Sequence, residues 1–321
     1  MKYLIRAIDR PFLICLIKSL SILLTAILIL IFPTYSLYLA PIHLLIYLWL
    51  LGPFITMFHD IHHHPLLKHK MANKLLISLV GLINGIAPHG YFCHHIIMHH
   101  PEENGEKDTS STRPYQRDSL KDFSHYYFSF MFGFFPLVNY LKTSKNKQKT
   151  REAYKFMLSG LLYTLSTLLL LLIHPIAAIA IIIIPTIITR SFLIVGNWGE
   201  HAFIDPANPE NTYTNTVNLL GHYNKTSFNV GFHIGHHLKP KLHFSLLEQD
   251  FNDNIITYAQ EDSIVFTDIH YPHLWFYLMT KNYSLLAQKY VQLPGRPKRS
   301  KQQIIALLKS RLIPIRSNIV D

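Results

Sequence analysis

Histidine falls in four groups along the chain: "HDIHHH" at His59–His64, "HHIIMHH" at His94–His100, "NWGEH" at Asn197–His201 and "HIGHH" at His233–His237. Imidazole is a nitrogen ligand and a proton carrier near neutral pH. On a helix, His59 and His63 share a face with their Cβ atoms about 6 Å apart. His95 and His99 repeat that spacing with His100 one step round, Asn197 and His201 repeat it again, and His233 stands three and four residues from His236 and His237. Eight or nine imidazoles can thus be aimed at one volume. The two cysteines, Cys15 and Cys93, offer neither a CxxC pair nor a disulfide framework. Any metal must therefore rely on histidine, with carboxylates or amides in support. Neutral nitrogen donors suit a mid-series divalent metal such as iron, zinc, copper or nickel. One zinc takes four ligands, so nine candidates point to two metals. A pair of irons at the end of a membrane span suits oxidation of an unactivated C–H bond by O2.

The elements that must position these groups are apolar. Residues Phe12–Phe32 form an unbroken run with one lysine, and a helix of that length reaches about 31 Å, enough for a hydrocarbon layer of about 30 Å. Further runs at 37–58, 154–173 and 176–195 bring the expected spans to four. His174 and Pro175 separate the last two, and Pro185 is expected to kink the fourth. The first run ends in "FPTYS" with no cleavage pattern, so it reads as an anchor rather than a signal peptide. Lys and Arg crowd the amino terminus, Lys142–Arg151 and "RPKRSK" at Arg296–Lys301, whereas Pro33–Ser36 and His174–Pro175 carry none. The formal charge of +11 therefore reads as cytoplasmic, lipid-facing charge rather than a nucleic-acid surface. The expected fold is an all-α integral membrane protein: four transmembrane helices in two hairpins under a histidine-rich helical cap, with cap and both termini cytoplasmic. Residues 1–280 would form the membrane domain and 281–321 a basic cytoplasmic tail. A short amphipathic helix at Ile304–Ile315 is expected on the membrane surface, and Leu75–Ala87 and Phe123–Leu141 are expected at the interface. The polar loop Pro101–Ser119 suggests no chemistry of its own.

The boxes H-x3-H, H-x3-HH and H-x2-HH, with "NWGEH" matching an N-x3-H segment after the fourth span, resemble those of the membrane fatty acid desaturase and hydroxylase superfamily. The resemblance covers roughly Leu37–Leu242, with the boxes in the family's order. It implies two iron ions, with His59, His63, His95, His99, His100, His201, His233, His236 and His237 as ligands and Asn197 close to one iron. The surplus histidines leave open which of His62, His63 and His64 completes the first box. Asp60, His64, His94 and Glu200 are candidates for supporting the ligands, as is Asp205 for orienting an imidazole.

The activity so implied is O2-dependent desaturation of a fatty acyl chain. No heme-binding or nucleotide-binding segment is present, so electrons must come from an external ferredoxin-like or cytochrome b5-like carrier. The same site could instead hydroxylate or ketolate a carotenoid, sterol or other lipid. A histidine-rich metal transporter would place its ionisable ligands inside the spans, whereas here they gather at one end. Lone histidines such as His43, His125, His174, His270 and His273 read as ordinary polar or packing residues.

Overall fold

A computed structural model of the chain describes residues 6–143 and 146–315. The secondary structure is mostly helical, with one addition to the expected all-α pattern. Strands β1 (Asn218–Leu220) and β2 (Val265–Thr267) pair in parallel, Leu219 opposite Phe266. Two compact units can be distinguished, Met1–Ile97 with Leu137–Ser191 and Met98–Pro136 with Phe192–Asp321.

The first unit contains long apolar helices. Four helical stretches, Ala7–Ile31, Pro33–His63, Lys147–Ile173 and Pro175–Glu200, are long and apolar enough to cross a membrane. Each extends beyond the apolar run read from sequence, and the extensions matter. Helix α1 (Arg10–Ile31) packs on α2 (Ser36–His63), where Thr25 Oγ1 meets His43 Nδ1 at 2.8 Å in a buried contact. Ile29 sits against the small side chains of Ala40, Ala177 and Ala180, which allow backbones to approach closely. Helix α2 continues past Phe58 to His63, so the first histidine box forms its last turns rather than a following loop. Helix α3 spans Lys70–Ile83. On α4 (Lys147–Ile173) only Glu152, Ala153 and Phe156 are buried, and leucines such as Leu165, Leu169 and Leu172 face outward, as lipid requires. The expected kink at Pro185 takes the form of a π-helical segment, Ala178–Ile183, immediately before helix α5 (Ile184–Glu200). Proline lacks the N–H of a regular helix and its ring clashes with the carbonyl four residues back, so the winding changes there.

The second unit is built on two apolar clusters. In one, Phe123, Tyr126 and Met131 of the helix Leu120–Met131 pack on Ile194 and the fully buried Trp198. The aromatic stretch expected at the interface is therefore divided: these side chains enter a protein core, while Phe128, Phe132 and Phe135 stay exposed. In the other cluster, Ala202, Phe203, Val217, Leu219 and Phe266 pack with Leu274, Leu278 and Leu286. The helix Lys301–Ser310 joins this cluster through Ile304 and Leu308, with Leu312 beyond it. The reciprocal hydrogen bonds of Ser300 and Gln303 start that helix. The helix of the basic segment, expected on a membrane surface, instead buries its apolar face in protein. Its amphipathic pattern serves the core of this unit.

Candidate metal centre

In the first unit, three histidines converge. His59 and His63 lie one turn apart at the end of α2, and His95 comes from the segment Phe92–His99, which is wound as a π-helix. Their ring centroids are 4.5 to 5.1 Å apart, and His63 Nε2 lies 3.0 Å from His95 Nε2. Metal–imidazole bonds of about 2.1 Å place neighbouring ligand nitrogens about 3 Å apart. Tyr91 stacks on His95 at 4.9 Å. The three first-box alternatives stand differently in this group. His62 donates from Nδ1 to the Phe58 carbonyl at 2.7 Å and packs edge-on against the Phe58 ring. His64 leaves the helix in an extended conformation. His63 is the residue that joins His59. Asp60 is buried beside them, but no imidazole pairs with its carboxylate among the described residues.

In the second unit, His99, His201, His233 and His237 are all buried, and each offers a nitrogen within 4.8 Å of the others. His233 and His237 occupy one face of the short helix His233–Leu238, with Nε2 atoms 3.1 Å apart. His236 points another way and meets His100, Nε2 to Nε2, at 3.1 Å. The expected shared face for His95 and His99 is not found. They enter different groups because the π winding, with its i→i+5 hydrogen bonds, rotates successive side chains differently from an α-helix. His94, on the same π segment, joins neither group.

The surroundings of the buried quartet fix two of its tautomers. His99 Nδ1 donates to Asp108 Oδ2 at 2.7 Å, and His201 Nδ1 donates to the Asn215 carbonyl at 2.9 Å. Both rings are thereby committed to Nε2 as the ligand atom. His201 Nε2 is buried and has no hydrogen-bond partner among the described residues. A bare, buried imidazole nitrogen facing three other imidazoles is costly without an acceptor of its lone pair. A metal ion is that acceptor, and the all-nitrogen donor set fits iron or a neighbouring divalent metal. Burial, then the proximity of His99, pushes the His201 imidazole down to about 3. Burial, followed by neighbouring imidazoles, holds His237 well below its usual range. Both therefore stay neutral and able to ligate. Burial also opposes protonation of His99, but the charge and hydrogen bond of Asp108 outweigh it and raise that ring above the ordinary histidine range.

Of the supporting candidates, Glu200 lies 3.5 Å from His233 Nε2. Asp205 pairs with Arg311 rather than with an imidazole. Asn197 is buried, and its Nδ2 donates to the Ser110 carbonyl at 3.0 Å and to the Tyr126 hydroxyl at 2.7 Å, which fixes the amide.

Sequence reasoning missed the loop between His100 and Leu120. Asp108 binds His99 with one carboxylate oxygen and takes the backbone N–H and hydroxyl of Ser110 on the other. Thr112 Oγ1 donates to the His201 carbonyl at 2.6 Å. Asn104 reaches Asn215 Oδ1 at 3.1 Å, next to the carbonyl that holds His201. Fully buried Arg117 donates to the carbonyls of Ala202, Arg311 and Ile313. The available signal was a run of short polar residues, "DTSST", directly after a histidine box. Such side chains bond to nearby backbone and build rigid turns.

Compared with known families, residues 33–267 of the chain match the family model described as fatty acid desaturase. No curated protein and no solved structure matches the chain.

Proposed function

The chain belongs to the fatty acid desaturase family, and from that premise we propose that it is a membrane-bound, di-iron, O2-dependent enzyme that introduces a double bond into a fatty acyl chain. His59, His63, His95, His99, His100, His201, His233, His236 and His237 hold the irons, and Asn197 lies close to one of them. The observation that carries this reading is the bare, buried Nε2 of His201 among three other buried imidazoles. Bound iron supplies the reductive activation of O2 needed to take hydrogen from an unactivated carbon. The balance is two hydrogens from adjacent acyl carbons, with two electrons and two protons from outside, reducing O2 to two waters. Electrons come from a separate ferredoxin-like or cytochrome b5-like carrier.

The protein's own part is positional. Asp108 and the Asn215 carbonyl keep a proton on the Nδ1 of His99 and of His201, so each Nε2 points inward. Glu200 places a carboxyl oxygen 3.5 Å from His233 Nε2. The lipid chain lies along the apolar helices, and both termini and the histidine groups face the cytoplasm, as the placement of Lys and Arg supports.

The test is the lipid profile of a host expressing the protein beside one expressing His237→Ala, with iron measured on both purified proteins. Acyl chains lighter by two hydrogens, lost together with iron in the variant, are the expected result. A product heavier by one oxygen assigns the alternative hydroxylase reading, and one that gains an oxygen while losing two hydrogens assigns the ketolase reading. Unchanged lipids, or a variant that keeps both iron and product, overturn the proposal.

A further inference from the structure

The basic segment "RPKRSK" does more than set charge. Asp262, in a left-handed turn at φ 58°, receives three arginines on one carboxylate. Arg299 is bidentate at 2.7 and 3.0 Å, Arg296 Nη1 lies at 2.5 Å and Arg311 Nη2 at 3.2 Å. A carboxylate has about four lone-pair sites, so Asp262 is saturated. Asp205, 3.5 Å from Arg311, is the second acid of the cluster, and three guanidinium groups against two carboxylates leave an excess of positive charge that Lys298 and Lys301 extend along the sequence. Arg296 and Arg299 line a small open cleft together with Asp262, Ser263 and Tyr290. Arg296 holds Asp262 through one nitrogen, leaving the rest of its fork. Ser263 is 2 % exposed, and its hydroxyl has no hydrogen-bond partner among the described residues. The cleft is also stiff, because Gln292 clamps both the N–H and the carbonyl of Arg299 at 2.6 and 3.1 Å.

A buried hydroxyl donor beside surplus guanidinium donors lacks an acceptor, and an oxyanion of high charge density supplies one. We propose that this cleft binds a phosphate group, through Arg296, Arg299 and the Ser263 hydroxyl. The phosphate could be free or carried on a lipid headgroup, since the recognising chemistry is the same.

The experiment is calorimetric titration of the full-length, detergent-solubilised protein with inorganic phosphate and, separately, with a short-chain phosphatidic acid. Arg296→Gln is expected to weaken binding about tenfold, the cost of one charge-assisted hydrogen bond, and Ser263→Ala several-fold. Thermal midpoints in phosphate-free buffer check that both variants are folded. Saturable binding of inorganic phosphate with that sensitivity assigns a free anion, and binding of only the lipid phosphate with the same sensitivity assigns a headgroup. No binding of either, or binding that both variants leave unchanged, overturns the proposal.

Discussion

At the scale of single residues, Asp108 is the test of how the quartet works. Its carboxylate holds the His99 proton on Nδ1 and is itself held by Ser110. Loss of such an outer carboxylate typically costs about 10–100-fold in metal affinity. Asp108→Asn is expected to fold and to lose iron to a competing chelator at a concentration lower by that factor, with Asp108→Glu retaining part of the affinity. Metal analysis after dialysis against graded chelator measures this, and equal retention in all three proteins would remove Asp108 from the site. The histidines of the two groups were legible in the sequence because, among 21 in all, they fall in clusters at helical spacings. Asp108 was not, since an aspartate nine residues past His99 acquires a partner only through the path of the loop. His62, His63 and His64 were equivalent by type. Only the hydrogen bond of His62 to Phe58 and the helix end at His64 separate them.

At the scale of elements, local winding decides which histidines meet. The π-helical segment Phe92–His99 sends His95 and His99 to different groups, and an α-helical reading of the same residues could not foresee it. Sequence placed the apolar runs within the long helices, which continue into the polar histidine boxes at Pro33–His63 and Pro175–Glu200. Backbone closeness was equally hidden. A Cβ at Gly231 would collide with the Tyr223 hydroxyl and the Leu219 carbonyl and approach Asn224 Oδ1 to 2.6 Å. The Gly231 carbonyl also accepts from Leu219 N at 2.7 Å at the edge of the short sheet, two residues before His233. Gly231→Ala is expected to destabilise the second unit by about 3 kcal/mol through overpacking. It should also release metal under conditions where the parent retains it. Chemical denaturation followed by tryptophan fluorescence checks the first, and iron content the second. Gly85, at φ +69° against the backbone of Pro185 and Thr186, makes the corresponding demand in the first unit.

At the scale of the whole molecule, the carboxy-terminal segment belongs to the functional body. Leu308 is fully buried with Phe203 and Leu219, so Leu308→Ala is expected to cost about 2–5 kcal/mol. A matched exposed change, Lys309→Ala, should cost little. Thermal unfolding of the two variants separates the outcomes, and equal midpoints would contradict the packing described. If metal binds only the folded chain, chelation should lower the midpoint of the parent as well, by mass action. Four apolar helices and the histidine pattern were readable at this scale, because solvent and ligand chemistry impose them on composition. The merging of a basic tail into a core was not, because its amphipathic period fits a lipid surface as well as a protein one.

Arg117 gives this arrangement a temporal meaning. Its guanidinium holds the carbonyl beside His201 together with two carbonyls at positions 311 and 313. Translation adds the four histidine groups, the last ending at His237, well before it adds residues 311 and 313. Secure metal capture should therefore wait until residue 313 has been added, and a nascent chain stalled at residue 300 should carry all four histidine groups yet hold no ion tightly.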